Sequence, residues 1–278
     1  MGFPTSFKLP RIQDLTKYKN TLYAPVDVTT NWEGYRTHLV SVRPSFKPRV
    51  LLMGHDMSEI ENITLMALGG VVREMNGITY YLLVGPQNVH LALESIELNQ
   101  PEWLGISLYT GLTTYVFEWL LQYKIDKARS ITKKNISDFE TADKLLKGMV
   151  RETNGPVYEG NQLVYAPVII GGHYNNYNYR ESWERGGEYI IRGKGINKFR
   201  DILLGLYNPG IYHDPMPYAN IPRMDRNKFY KDTFEFSDET KKYALSRIKS
   251  ILTALGCSYS CTYCYVSSLI DNPVSYTH

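Results

Sequence analysis

Cysteine is scarce in this chain: three residues, Cys257, Cys261 and Cys264, all fall in one short stretch. Thiols so crowded would form strained pairs and leave one over, which excludes a disulfide framework. Charge of either sign is nearly balanced, with 31 Lys and Arg against 28 Asp and Glu. Without a concentrated basic stripe a nucleic-acid partner is not expected. No apolar run is long enough to cross a bilayer, so no membrane partner is expected either. The first residues, MGFPTSFKLPR, lack the charged-then-apolar build of a secretory signal, and a cytoplasmic location is the expectation. Internal repeats and low-complexity tracts are absent from the sequence.

What is present begins at Arg49. Residues 1–47 carry several prolines and no sustained period, and are expected to form an N-terminal extension packed on a neighbour. Beyond them, short apolar runs alternate with amphipathic stretches of helical length, the pattern of βαβ units around a parallel sheet. Strands are expected over Arg49–Met53, Ile78–Val84, Trp103–Leu108, Pro167–Ile170 and Tyr189–Arg192, most of them dense in Val, Ile, Leu and Tyr. Helices are expected over Ile60–Met75 and Asn88–Leu98, from near Thr113, from Ser137 and over Asn197–Tyr207. Ser137 and Glu140 have the spacing of a capping box. The basic stretch Lys124–Lys134 reads as a solvated face. The sum is a doubly wound, five-stranded parallel α/β domain over residues 48–208, then a proline-marked linker over 209–250.

Ligands of open α/β sheets bind outside the carboxyl ends of the strands. There the sequence places Ser107-Leu108-Tyr109-Thr110-Gly111, Gly171-Gly172-His173 and Arg192-Gly193-Lys194-Gly195. Glycines let a large ligand approach the backbone. A hydroxyl such as Ser107 or Thr110 can hydrogen-bond its polar edge. Tyr174, Tyr177, Tyr179 and Trp183 follow the glycine pair and read as a surface loop and the start of a helix, with a pocket lining as the other reading. Gly193-Lys194-Gly195 lacks the third glycine of a dinucleotide fingerprint and follows the last strand, not the first.

The order GISLYT, APVIIGGHY, EYIIRGKG and FRDIL resembles the cobalamin-binding domain that precedes many radical-SAM enzymes. The resemblance implies that Ser107, Gly171 and Gly172, with Gly193 on the adjoining loop, surround the nucleotide tail of cobalamin. Two positions depart from that family: Tyr109 stands for a leucine, and Lys194 and Ile196 replace two glutamates. Cobalamin mutases carry a cobalt-ligating histidine in D-x-H-x-x-G after the first strand. Here the frame is Asp56-Met57-Ser58-Glu59-Ile60-Glu61, with His55 beside it, so no protein histidine is expected on cobalt.

The cysteines stand as Cys257-x3-Cys261-x2-Cys264, after an apolar run at Ile251–Leu255 and Gly256. Thiolates are the usual ligands of iron–sulfur clusters, and three of them leave one iron of a cubane open. The alternative is a zinc knuckle with His278 or an external group as fourth ligand. The spacing, with Tyr263 before the last cysteine, is similar to the radical-SAM signature. That resemblance implies a 4Fe-4S cluster whose open iron chelates S-adenosylmethionine, reductive cleavage to a 5′-deoxyadenosyl radical, and Tyr263 against the adenine. A radical-SAM barrel continues for several βα units, whereas the 14 residues after Cys264 are too few for one βαβ unit. Residues 251–278 are therefore expected to be the first strand and cluster loop of an incomplete barrel, in a truncated or split chain. A separate polypeptide is the other possible source of the remainder. By this reading the intact enzyme takes a small-molecule substrate and an electron donor, and this chain alone does not turn over. The competing reading is a non-catalytic cobalamin carrier or sensor.

Overall fold

The computed structural model describes residues 47–55, 62–86, 89–214 and 222–234, together with the backbone of 254–255 and 275–276. These all belong to the second of two units, Trp32–His278. The described chain opens with β1 (Arg49–His55), α1 (Ile63–Glu74), β2 (Ile78–Val84), α2 (Leu91–Asn99) and β3 (Trp103–Ser107). A single 3-10 turn, Thr110–Leu112, leads into α3 (Thr113–Thr132), followed by α4 (Phe139–Thr153). A hairpin, β4 (Val157–Glu159) with β5 (Gln162–Tyr165), precedes β6 (Val168–Gly171), α5 (Asn175–Glu184), β7 (Tyr189–Gly193), α6 (Ile196–Leu203) and β8 (Gly210–Asp214). Last come α7 (Arg226–Phe234) and the short strands β9 (Ala254–Leu255) and β10 (Ser275–Tyr276), which pair antiparallel.

Six strands form one parallel sheet in the order β2-β1-β3-β6-β7-β8. The central ones are buried on both faces, and Val50, Leu51, Leu52 and Met53 have no exposed surface. That burial is why they read as unbroken apolar runs. The reversal of order between β1 and β3 creates a switch point at their carboxyl ends, where open α/β sheets take their ligands.

The five expected strands are all present, and a sixth corrects the count. β8 lies inside the stretch read as linker, and so does α7. β8 was hidden because it is a short edge strand whose sequence, GIYHD, carries a glycine and two polar residues.

Strand register fixes which side chains share a face. Leu52 pairs with Gly105 and Gly54 with Ser107, so these four lie on one side of the sheet. α1 covers that side, since a Cβ on Gly54 would stand 2.8 Å from Leu65. α6 covers it as well, with Phe199 against Gly105. Across this one face α1 carries the chain from β1 outward to β2, while α6 carries it from β7 outward the opposite way to β8. The two crossovers therefore have opposite hands, and one is of the rare left-handed kind.

The basic stretch on α3 is the second correction. Lys124 is fully buried and forms ion pairs with Asp143 on α4, at 2.5 Å, and with Glu188 ahead of β7. Glu188 also accepts from the Tyr165 hydroxyl at 2.9 Å and from Val168 N at 2.8 Å. Lys147 donates to Asp143 at 2.7 Å and to the Trp183 carbonyl at 2.6 Å, closing a network that ties α3, α4 and α5 together. Burial alone would lower the Lys124 ammonium, but the two carboxylates outweigh it and hold its pKa above the usual lysine value.

Other differences are local. α4 is capped by Asp138, whose carboxylate accepts from Thr141 N at 2.8 Å, so the capping pair is not Ser137 with Glu140. The helix expected here is present as α5, with Tyr177 exposed, but Tyr174 and Trp183 are buried at its two ends, so the expected surface loop is a packed helix. At the far edge of the sheet, Asp225 N bonds to the Met66 carbonyl and Asp232 accepts from Tyr81 N at 3.1 Å, fastening α7 along β2. Gly69 and Gly70 inside α1 make this possible: a Cβ on Gly69 would overlap the Tyr81 hydroxyl, and one on Gly70 would meet the Arg223 carbonyl at 2.5 Å.

Candidate functional site at the carboxyl ends of the strands

The described rim consists of His55, the Ser107–Leu112 turn, Gly171-Gly172-His173, Gly193-Lys194-Gly195 and Asp214. Neighbouring strands bring the first three groups together around the switch point. Leu108 N donates to the Gly171 carbonyl at 2.9 Å, and Tyr174 N donates to the Leu108 carbonyl at 3.1 Å. The Tyr109 and His173 rings lie with centroids 5.6 Å apart, a half-exposed aromatic shelf above that join. The 3-10 turn then places Thr110 in solvent, where its carbonyl accepts from the Thr113 hydroxyl at 3.0 Å.

Ser107 is 2% exposed, and its hydroxyl has no hydrogen-bond partner among the described residues. Buried hydroxyls are ordinarily satisfied, so an orphan at a switch point is a group that a ligand or a water can satisfy. The three candidate glycines differ in what their missing side chains serve. Gly172 has φ +95°, and a Cβ there would stand 2.6 Å from the backbone of Leu108. A Cβ on Gly193, at φ +83°, would overlap the Asp214 carbonyl. Both are glycine because the protein's own strand ends need it. Gly171 has no such constraint: among the described residues the one neighbour within reach is the Ile191 carbonyl at 4.0 Å, which leaves that side open to a ligand.

The loop after β7 makes its hydrogen bonds within the protein. Gly193 N donates to Asn176 Oδ1 at 2.9 Å. The Asp214 carboxylate, 2% exposed, accepts from Asn197 N at 2.8 Å and Lys198 N at 3.2 Å, capping α6 from the end of β8. A carboxylate thus occupies the helix N-terminus that a phosphate would need, which removes Gly193-Lys194-Gly195 as an anion cradle. Arg192 instead stacks on Tyr179 at 4.3 Å.

Asn62 was not singled out from the sequence, although an asparagine ahead of an apolar-periodic stretch is an N-cap signal. It caps α1, its Oδ1 accepting from Leu65 N at 3.1 Å, while its Nδ2 is buried and has no partner among the described residues. The frame Asp56–Glu61, the cysteines Cys257, Cys261 and Cys264, and Tyr263 lie outside the described residues. Of the strand expected before the cysteines, Ala254–Leu255 is present. No described helix is long and apolar enough to cross a membrane, and no group of three metal-binding side chains occurs among the described residues. Compared with known proteins, the chain matches no protein-family model and no curated protein at a significant level.

Proposed function

We propose that the chain is the front part of a cobalamin-dependent radical-SAM enzyme, with the sheet rim holding cobalamin and Cys257, Cys261 and Cys264 holding a 4Fe-4S cluster that binds S-adenosylmethionine. The observation that carries the cobalamin half is the buried, unpartnered Ser107 hydroxyl beside the open side of Gly171 at the β1/β3 switch point. Ser107 would hydrogen-bond the ligand, Gly171 would admit it to the backbone, and Tyr109 with His173 would flank its apolar edge. Gly172 and Gly193 shape the loops without themselves making room. When bound, cobalamin supplies a methyl carrier, which suits methyl transfer to an unactivated carbon or phosphorus. A reducing cytoplasm, an electron donor, a small-molecule substrate and further barrel strands, from this or a second polypeptide, complete the reading.

Anaerobic iron–sulfur reconstitution of the chain beside a Cys257→Ala, Cys261→Ala, Cys264→Ala variant tests the cluster. About four irons and four sulfides per chain, lost in the variant, are expected. Zinc without sulfide, or no metal, overturns the radical-SAM half and leaves the cobalamin carrier reading, which equilibrium dialysis with hydroxocobalamin decides.

A further inference from the structure

Tyr81 on the edge strand β2 is the hub that holds α7. Its backbone amide donates to Asp232 Oδ2 at 3.1 Å and its hydroxyl to Asp225 Oδ2 at 3.3 Å. Its ring meets Phe229 edge-on, with centroids 5.2 Å apart. Further ties come from α1, where Met66 O accepts from Asp225 N at 3.0 Å and Arg73 pairs with Asp225 at 3.2 Å. These ties are of a weak kind. The Arg73 side chain is 44% exposed, and ion pairs open to solvent contribute little. Among the described side chains of α7, Phe229 is the one apolar group in the core, with Tyr230 packed against it in part. β2 has its own hold on the sheet, since it pairs with β1 from Ile78 to Val84. Alternate residues of such a strand turn their amides to opposite sides, so Leu82 faces β1 while Tyr81 faces α7. Beyond α7, the described strands β9 and β10 pair with each other and with no strand of the sheet. α7 is thus the last described element fastened to the sheet ahead of Cys257.

We propose that α7 is a strap that opens as one unit while the sheet stays folded, and that its opening moves the root of the cysteine-bearing stretch across the sheet. With α7 docked, that stretch leaves from the β2 margin. With α7 released, the last described fixed point is Asp214 at the end of β8, on the opposite margin and five strand spacings, about 24 Å, away. Segments with few apolar anchors and solvent-facing ties open well below the cost of unfolding the core. The strap works in the same way whichever ligand the rim takes.

The test is amide hydrogen exchange of the full chain, read residue by residue by NMR. The Tyr81 amide is expected to be protected about a hundredfold less than the Leu82 amide beside it. It should match the Phe229 amide inside α7, which donates to Asp225 O at 3.1 Å. Two variants loosen the strap from different sides. Phe229→Ala removes its apolar anchor, and Gly70→Ala puts a Cβ 2.5 Å from the Arg223 carbonyl. Each is expected to lower the protection of Tyr81 about tenfold further and to leave Leu82 unchanged. Equal protection of Tyr81 and Leu82 in the wild-type chain overturns the inference, and so do variants that lower both together, because α7 would then open only when the core does.

Discussion

Lys124 and Glu188 meet as an ion pair in which neither side chain has any exposed surface. Removing one member of such a pair strands the other charge in a medium that cannot solvate it. Lys124→Met is therefore expected to destabilise the domain by about 3–5 kcal/mol in urea unfolding. Adding Glu188→Gln should recover much of that loss. A single variant within about 0.5 kcal/mol of wild type would show that the pair is not buried in solution.

The same network sets the dependence of stability on pH. Burial pushes the Asp143 carboxyl up, but Lys124 and Lys147 outweigh it and leave it below the usual range. Its contribution is complete above the unfolded value of about 4 and is lost as pH falls through the lower folded value. Lys124 is shifted upward, so its contribution is complete below about 10.4 and is lost as pH rises through the higher folded value. Urea midpoints should fall as pH drops below about 4, and Asp143→Asn should flatten this acid limb, whereas on the alkaline side the lowered Lys147 works against Lys124. An acid limb unaltered in that variant would assign the loss to other carboxylates.

The glycine pair after β6 should split in its response to alanine. Gly172→Ala forces a left-handed backbone and a contact with Leu108, and is expected to cost about 2–3 kcal/mol of stability. Gly171→Ala meets only the Ile191 carbonyl, at 4.0 Å, among the described residues and should leave the melting curve unchanged while weakening corrinoid binding. Equal melting losses in both would mean that Gly171 also serves packing.

These two glycines show where reading a sequence stops. GGH at the end of an apolar strand marks a rim, but which glycine serves the backbone and which the ligand depends on Leu108 in the turn after β3 and Ile191 in β7. Lys124 looked solvated because its partners are 19 and 64 residues away, and a burial that depends on distant carboxylates leaves no local period. The buried strands were legible because apolar runs need no partner to be recognised. Asn62 is not legible as more than a helix cap, because a cap explains an asparagine completely until its second atom is found without a partner among the described residues.

At the other end of the rim, Asp214 is expected to hold α6 in place. Asp214→Ala frees two backbone donors at the helix start and should cost about 1–2 kcal/mol, with Asp214→Asn losing less. If Asp214→Ala instead gains sulfate or phosphate binding at no loss of stability, the helix end is an anion site that the carboxylate had been blocking.

The two margins of the sheet are not equivalent. Along β2 the Asp232 carboxylate takes the Tyr81 amide, and α7 lies where an added strand would have to run. β8 is the outermost strand on the other side, and among the described residues no strand pairs with its outer edge. Among the described residues, growth of the sheet by intermolecular strand addition is thereby directional, open beyond β8 and shut beyond β2. Should this domain self-associate or misassemble, the seam would run along Gly210–Asp214, and a lysine or proline introduced on that outer edge would suppress it.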